Sequence, residues 1–204
     1  MRIIAWRYKG HRLASLKGCD TRPTRDRVRE AVFNILEPKG PFLRVADLFA
    51  GSGAMGLEAL SRWGGTALFV ESSRTALECL RENIIRLKLE GRVAVLKRDL
   101  SRGIDFLKTL GQPFDLIFMD PPYGKNWGAL ILPPLLNTAL LEEKGVLVLE
   151  HDATDPVPRQ VGSWEAGEVR RYGRTGISFY QSSIHSIDPI PSLTREKGMR
   201  KPQE

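Results

Sequence analysis

Apolar runs and amphipathic helical stretches alternate along most of this chain of 204 residues. The apolar runs predict five strands, over 43–49, 66–71, 92–99, 114–120 and 145–152. Helical spacing of apolar residues predicts helices before and between them, over 24–36, 54–63, 73–89, 101–110 and 128–143. Strands that are apolar almost throughout and separated by helices are typical of a parallel sheet buried on both faces. The alternation therefore predicts an α/β fold, with helices on both faces of a mostly parallel, Rossmann-like sheet.

Segments on either side of this alternation complete the prediction. Residues 2–16 indicate two short strands around the turn at Tyr8-Lys9-Gly10, and 168–181 indicate a hairpin that brings the sheet to seven strands. From residue 182 the sequence loses its periodicity and contains three prolines, which is typical of a disordered tail. The predicted parts are a basic β-hairpin arm over 1–20, a main domain over 21–181 and a tail over 182–204.

The net charge of +7 is concentrated in the first 29 residues, which hold nine Lys or Arg against two acidic residues. Because the remaining 175 residues are neutral in sum, we expect a polyanion to contact mainly this basic segment. Aromatic residues stand among the charges at Trp6 and Tyr8, which favours a nucleic acid over a merely solvated segment. The first predicted helix continues this surface, since Arg25, Arg27 and Arg29 are expected to point away from its apolar face.

Several function classes are disfavoured by what the sequence lacks. No apolar run approaches the roughly 20 residues that span a bilayer, and no signal-peptide pattern follows the basic N-terminus, so we expect a cytoplasmic protein without membrane contact. Cys19 and Cys79 lack CxxC spacing and are expected to stay reduced. The three histidines have no spacing for a metal or a catalytic triad, so no metal site is expected; His151, at a strand end, is the one to locate.

Acidic residues stand at or near the ends of four predicted strands: Asp47, Glu71, Asp99 and Asp120. Parallel α/β sheets bind ligands outside the carboxyl ends of their strands, so these carboxylates are expected to mark one site. A Gly-x-Gly-x-x-Gly pattern over 51–56 follows the first strand and allows a tight turn that a ligand can approach closely. Glu71 follows this turn at a spacing where an acid accepts hydrogen bonds from ribose hydroxyls. These features predict an adenosine-type cofactor and leave open whether it is NAD or S-adenosylmethionine.

A proline corner made of Asp120, Pro121, Pro122 and Tyr123 follows the fourth strand and decides between these cofactors. Consecutive prolines keep the corner extended and remove two N–H donors, so the Asp120 carboxylate and the Pro121 carbonyl remain as acceptors. Two such acceptors match the two hydrogens of a nucleobase amino group, and the Tyr123 ring can stack on the base. Bonding to both hydrogens partly localises the nitrogen lone pair, which favours attack on an electrophilic methyl group held in line. The corner therefore predicts a clamp for an exocyclic NH2 group.

These motifs resemble those of S-adenosylmethionine-dependent amino-methyltransferases with an Asp/Asn-Pro-Pro-Tyr/Phe signature. More closely, the chain resembles the bacterial RsmD-type enzymes that methylate N2 of a guanine in 16S ribosomal RNA. The resemblance covers Arg2 to about Gln181 and is carried by residues 1–13, 21–36, 47–62, 115–124 and 172–180. The arm departs from the pattern at Ala5 and Trp6, where small residues are expected.

The resemblance implies the class I methyltransferase fold, S-adenosylmethionine as cofactor and 16S ribosomal RNA as partner, in a monomer without a membrane or metal requirement. The cofactor-binding residues that it implies are Asp47, Gly51, Ser52, Gly53, Glu71, Asp99 and Thr24. Among these, Glu71 is expected to hold the ribose and Asp99 the adenine amino group. The implied catalytic residues are Asp120, Pro121, Pro122 and Tyr123, which would hold a guanine flipped from its stack. The residues expected to contact RNA are Arg7, Lys9, Arg12, Arg22, Arg25 and Arg29.

Alternative functions differ in how well they explain these residues. An adenine-N6 methyltransferase acting on DNA or RNA would use the same corner, but the short loops between strands leave no target-recognition insertion. An NAD-dependent oxidoreductase would need a general acid or base and gives the proline corner no role. A non-catalytic RNA-binding module would not need acids at four strand ends. Neither the modified nucleotide nor the choice between naked RNA and an assembled small-subunit particle follows from the sequence.

Overall fold

The helices and strands follow the predicted alternation in a computed structural model that describes residues 1–16, 23–124 and 126–185, with the backbone alone for 23–25 and 185. The helices are α1 (Pro23–Leu36), α2 (Ala54–Trp63), α3 (Arg74–Leu87) and α4 (Trp127–Leu136). The strands are β1 (Arg44–Leu48), β2 (Thr66–Glu71), β3 (Val93–Lys97), β4 (Phe114–Met119), β5 (Leu141–Asp152), β6 (Gln160–Val161), β7 (Trp164–Ala166), β8 (Arg170–Tyr172) and β9 (Thr175–Ser182).

The strands form one mixed sheet in the order β3-β2-β1-β4-β5-β9-β7-β6, and β8 also pairs with β9. Strands β1 to β5 run parallel, and β9 lies antiparallel to β5. The α/β fold with a mostly parallel sheet is confirmed. Within the described residues the sheet has nine strands and not the predicted seven, because β6 and β7 are two and three residues long and too short for a periodic signal. The chain leaves the centre of the sheet in opposite directions from β1 and β4, which opens a crevice at their carboxyl ends.

Alternate residues of the central strands face two apolar cores on opposite sides of the sheet. In β4, Leu116 and Phe118 belong to the core that includes residues of α1, α2 and α3. Ile117 and Met119 belong to the core on the α4 side. All four are at most 2% exposed. Burial on both faces is the reason why this strand has an uninterrupted apolar sequence, and each such side chain stabilises the fold by about 1.5–3 kcal/mol.

The segment over 101–110 was predicted as a helix and is not an α-helix. It forms two 3-10 segments, Leu100–Arg102 and Asp105–Leu110. Gly103 between them has a φ of +107°, which L-residues rarely adopt and which interrupts helical hydrogen bonding. The apolar spacing of the segment is retained, since Leu100, Ile104 and Leu107 are buried against the sheet.

Helix α4 is shorter than the predicted helix over 128–143. It ends at Leu136, and residues 141–143 already belong to β5. Pro133 and Pro134 lie in its last turn and supply no amide hydrogens, which limits the continuation of the helix.

The two ends of the arm pair antiparallel, as in the predicted hairpin, but over few residues. The amides of Ile3 and Leu13 donate 3.0 Å hydrogen bonds to the backbone oxygens of His11 and Met1. A single antiparallel bridge pairs Arg2 with Arg12, and the turn between them is a 3-10 segment, Trp6–Tyr8. Next to this pairing, the carboxylate of Glu58 in α2 accepts hydrogen bonds from the amides of Ile4 and Ala5, at 2.7 and 3.1 Å. Because a side chain of the main domain takes these donors, the arm docks on α2 and does not form a free ribbon.

At the carboxyl-terminal end, the described residues stop at 185, shortly after the last strand of the sheet. Strand β9 continues to Ser182 and is followed by a 3-10 segment, Ser183–His185. The rest of the predicted tail lies outside the described residues. None of the helices described in the structure is long and apolar enough to cross a membrane. Over the same part of the chain, no cluster of His, Cys, Asp or Glu could hold a metal ion.

Candidate active site

A cavity of about 550 Å³ opens at the carboxyl ends of β1, β4 and β5. The glycine turn after β1 contributes Gly51 and Ser52 to its lining, and the proline corner after β4 contributes Asp120 and Tyr123. The cavity lies where the strand order reverses, between β1 and β4, which is the position of ligand sites in open α/β sheets. Its volume is in the range of small-molecule sites. The two motifs predicted from distant parts of the sequence therefore line one site.

The turn between β1 and α2 requires left-handed backbone at two glycines, Gly51 and Gly53. At Gly51 no atom lies within 4 Å of the position that a Cβ would take, so this backbone is open to a ligand. At Gly53 a Cβ would lie 2.4 Å from Cδ1 of Leu80 in α3. Gly53 therefore allows the turn to pack on α3 and does not line the cavity, so its predicted contact with a cofactor stays a prediction.

Asp47 lies in β1 beneath this turn and is 2% exposed. Its Oδ2 atom accepts a hydrogen bond of 2.9 Å from the amide of Gly56. Burial raises the pKa of Asp47 to about 7; the Gly56 hydrogen bond opposes this increase, and the charge of Glu71 adds to it. Since Asp47 lines the cavity, a cation bound there would favour the charged form of this carboxyl group.

Glu71 and Asp99 continue the row of acids along the carboxyl edge of the sheet. Glu71 accepts 2.8 Å hydrogen bonds from the amide of Gly51 and from the amides of the two residues that follow it. Asp99 accepts hydrogen bonds from the amide and the hydroxyl group of Ser101, at 3.0 and 2.6 Å. These bonds orient both carboxylates, but neither residue belongs to the lining of the cavity. Their ribose and adenine contacts stay predictions.

The proline corner places Asp120 and Tyr123 at the cavity. Pro121 is buried and Pro122 is exposed, and neither belongs to the cavity lining, so their predicted roles stay predictions. The Tyr123 hydroxyl donates a hydrogen bond of 3.0 Å to Oε1 of Glu150 and lies 3.1 Å from Oγ1 of Thr175. Burial raises the pKa of Tyr123 to about 12, and the charges of Glu150 and Asp120 contribute. Because 40% of Tyr123 remains exposed, its ring is available to a ligand while its hydroxyl is held by two other strands.

One wall of the cavity was not identified from the sequence. Glu150 at the end of β5, and Tyr172, Arg174 and Thr175 at the β8–β9 turn, line this wall. Arg174 is 81% exposed and pairs with Asp152. Glu150 is a further acid near a strand end, so the same signal that singled out the other four acids was present. The residues of the β8–β9 turn reach the cavity because β9 pairs with β5, and no local sequence pattern indicates this.

His151 has a structural role. It is 5% exposed, with Nδ1 at 2.8 Å from the backbone oxygen of Asp152 and Nε2 at 3.0 Å from Oγ of Ser178. A Cβ at Gly176 would lie 2.6 Å from its ring. The imidazole is therefore packed between β5 and β9, outside the cavity lining.

The orientation predicted for Arg29 is wrong. Its side chain is 4% exposed and donates hydrogen bonds to the backbone oxygen of Arg2 and to Oδ1 of Asp26. Burial lowers the pKa of Arg29. The arm crosses this face of α1 and covers it, which helical periodicity within α1 could not indicate. Arg29 lines the cavity and does not belong to an outer cationic surface.

The other predicted RNA contacts fall into two groups. Arg7, Lys9 and Arg12 are exposed on the arm. Arg22 lies outside the described residues, and the side chain of Arg25 is not described. The side chain of Thr24, which was predicted to bind the cofactor, is not described either. The roles of all these residues remain predictions.

Solved structures with the same arrangement identify the class of protein. A hypothetical protein of Thermus thermophilus is 33% identical, with a TM-score of 0.75 over 89% of this chain and 99% of its own. Ribosomal protein L11 methylase of Lactobacillus delbrueckii is 21% identical, with a TM-score of 0.56 over 74% of this chain and 76% of its own, and shares the fold. The Escherichia coli protein described as putative methyltransferase yhhF is 31% identical, with a TM-score of 0.76 over 89% of this chain and 97% of its own. This likeness, the strand order and the acids along the carboxyl edge show a class I methyltransferase fold.

Sequence comparison gives the family within this class. The family model described as conserved hypothetical protein 95 matches residues 1–181. Ribosomal RNA small subunit methyltransferase D of Escherichia coli is 32% identical over 181 residues, which cover 89% of this chain and 89% of the relative. The chain therefore belongs to the family described as conserved hypothetical protein 95.

Proposed function

We propose that this protein transfers a methyl group from S-adenosylmethionine to the exocyclic N2 of a guanine in 16S ribosomal RNA. The observation that carries the proposal is that Asp120 and Gly51 line the same cavity, which joins the amino-group clamp to the open glycine turn. The name of the Escherichia coli relative supports ribosomal RNA of the small subunit as the substrate. A ribosomal RNA substrate would place the protein in the cytoplasm, and the active form that we propose is a monomer.

The residues around the glycine turn fit S-adenosylmethionine. The open space over Gly51 allows a ligand to contact the backbone directly, and the carboxyl group of Asp47 beneath it suits a cationic ligand. These two residues and Ser52 would hold the methionine part, and Glu71 and Asp99 would hold the nucleoside. When bound, the cofactor supplies a methyl group activated by its positively charged sulfur.

The proline corner performs the part of the reaction that concerns the nucleobase. Asp120 accepts an N–H of the amino group, and its charge stabilises the positive charge that develops on nitrogen as the new N–C bond forms. The Tyr123 ring supports the base, since its hydroxyl is held by Glu150 and Thr175. The methylated nitrogen then loses a proton, for which the Asp120 carboxylate at the cavity is an acceptor.

Nucleoside mass spectrometry tests this function. The purified protein is incubated with a methyl donor carrying a deuterated methyl group, in one reaction with naked 16S RNA and in another with small subunits from cells lacking the modification. We expect labelled N2-methylguanosine in at least one reaction. Labelled N6-methyladenosine would overturn the assignment of the base. If neither substrate acquires a label, while a preparation of a known rRNA methyltransferase labels its own substrate, the proposed function is wrong.

A further inference from the structure

Trp6 presents a large aromatic ring to solvent at the tip of the arm. It is 66% exposed, and its backbone has a φ of +59°, the left-handed region that bulky residues rarely occupy. The turn holds this conformation, because the amide of Lys9 donates a 3.0 Å hydrogen bond to the Trp6 backbone oxygen. An exposed ring in an unfavourable backbone conformation points to a function for the ring that offsets this cost.

Contacts with α2 keep the turn in place. The Glu58 carboxylate, which is 0% exposed, binds the two amides that precede Trp6. On the other side, Oγ of Ser61 accepts a 3.0 Å hydrogen bond from the amide of Tyr8 and donates a 2.7 Å bond to the backbone oxygen of Ala5. The backbone that carries the ring is therefore already ordered, so it loses little conformational freedom when a partner binds the ring.

The two aromatic residues of the arm differ in their surroundings. Tyr8 is half-buried, packs against the core and makes an edge contact with His11 at a ring distance of 6.1 Å. Trp6 extends into solvent instead. Residues 1–16 contain no acidic residue. The exposed cations of this segment are Arg2, Arg7, Lys9 and Arg12.

We propose that Trp6 stacks on an unpaired base of the RNA substrate, outside the cavity that holds the target nucleotide. This inference rests on the proposed function. Both ends of the arm, at Met1 and Ser15–Leu16, line the cavity, so a strand that leaves the active site can follow the arm to its tip. Every base has a π-face, and the surrounding cations attract phosphates, which is the combination used by single-strand binding surfaces. A protein partner is less well matched, because the ring stands among cations and not within an apolar patch.

Three variants separate stacking from charge and from general surface changes. Trp6→Ala removes the ring, and Trp6→Phe keeps an aromatic face. Leu43→Ala removes a comparably exposed apolar side chain just before the amino end of β1, away from the carboxyl ends where the cavity lies. Each variant is titrated with a short unstructured RNA oligonucleotide at several salt concentrations. Tryptophan emission is recorded in parallel, with Trp6→Phe as the blank for Trp63, Trp127 and Trp164.

We expect Trp6→Ala to weaken binding about tenfold without changing the salt dependence, because stacking is lost and no charge is removed. Trp6→Phe should bind within about threefold of the unaltered protein, and RNA should quench only the emission that Trp6→Phe lacks. Methyl transfer at saturating RNA should be unchanged in both Trp6 variants.

Unchanged affinity of Trp6→Ala, in a protein that still methylates RNA, would overturn the stacking proposal and leave the proposed function standing. A defect of Trp6→Ala that occurs with assembled small subunits and not with free RNA would identify a protein contact and also overturn it. If the unaltered protein methylates neither 16S RNA nor small subunits, the proposed function itself fails, and the stacking proposal with it.

Discussion

The hydroxyl of Tyr123 donates a hydrogen bond of 3.0 Å to Glu150, which ties the proline corner after β4 to the end of β5. Oγ1 of Thr175, at the start of β9, lies 3.1 Å from the same hydroxyl. Three consecutive strands of the sheet, β4, β5 and β9, thus determine where the ring stands. Because 40% of Tyr123 stays exposed, this arrangement fixes the position of the ring and leaves it open to a ligand.

Replacing Tyr123 separates the hydroxyl from the ring. Tyr123→Phe should lower kcat/KM for RNA about tenfold, since a hydrogen bond to a charged group contributes about 1.5–3 kcal/mol and this one is partly exposed. Tyr123→Ala should lower it further because the stacking face is lost. Thr175→Val, which removes the second partner alone, is the matched control and should have a smaller effect. If kcat/KM of all three variants equals that of the unaltered protein, the ring does not support the base.

Removal of the Asp120 carboxylate should abolish methyl transfer and leave cofactor binding within a few-fold. In the proposed function, Asp120 contacts the nucleobase amino group, whereas the glycine turn holds most of the cofactor. Calorimetric titration with S-adenosylhomocysteine and single-turnover methylation measure the two quantities on Asp120→Ala. Asp120→Asn is the matched variant, since it keeps the size and removes the charge. Loss of binding and turnover together would instead indicate a structural role.

Stability should depend on pH through Asp47. The pKa of an unfolded Asp is about 3.9, and burial raises that of Asp47 to about 7. Between these values the folded state binds one proton more than the unfolded state, so the free energy of unfolding falls as pH rises and levels off above about 7. Asp47→Asn keeps an oxygen acceptor for the Gly56 amide and should remove this dependence. Its stability relative to the unaltered protein should therefore increase by a few kcal/mol from about pH 4 to pH 7.

Urea unfolding at several pH values measures the effect of Asp47→Asn. Asp105→Asn is the control, because Asp105 is 87% exposed and makes a surface pair with Lys108. That variant should follow the unaltered protein at every pH. Parallel stability curves for Asp47→Asn and the unaltered protein would contradict a raised pKa.

Glu58 should be required for docking of the arm. Its buried carboxylate binds two amides of the arm and Nε of Arg62. Glu58→Ala therefore leaves these amides without their acceptor and leaves the buried Arg62 guanidinium with Glu37 as its carboxylate partner. Removing one partner of a buried pair costs about 3–5 kcal/mol. We expect a lower midpoint of urea unfolding and faster tryptic cleavage after Arg7. Glu78→Ala, which breaks the exposed pair with Arg74, is the control and should change neither. Unaltered cleavage in Glu58→Ala would show that other contacts hold the arm.

The cations of the arm should contribute through charge. Reversing Arg7 and Lys9 to Glu should weaken RNA binding and reduce the salt slope by about two, because each phosphate contact releases about one counterion. The same reversal at Arg92 and Lys144, which are exposed at the amino edge of the sheet, is the control with an equal change in net charge. If both double variants lose affinity equally, the arm has no specific role in contacting RNA.

Much of the main domain could be predicted because its signals are local. The strands and helices around Gly51 and Asp120 follow from apolar periodicity, and the glycine turn and the proline corner follow from the backbone limits of Gly and Pro. Predictions were wrong where a distant part of the chain decided the outcome. Arg29 is buried because the arm crosses α1, and the arm docks on α2 because Glu58 accepts hydrogen bonds from its amides.

The sequence by itself determined the class of fold, the edge of the sheet at which the site lies and the positions of the glycine turn and the proline corner. These depend on the conformational preferences of neighbouring residues and on a repeat of apolar side chains. Only the tertiary structure decided which acids reach the cavity, which strands hold Tyr123 and which aromatic ring of the arm meets solvent. Such outcomes depend on contacts between residues far apart in the chain, and their energies are set by packing and desolvation in the complete fold.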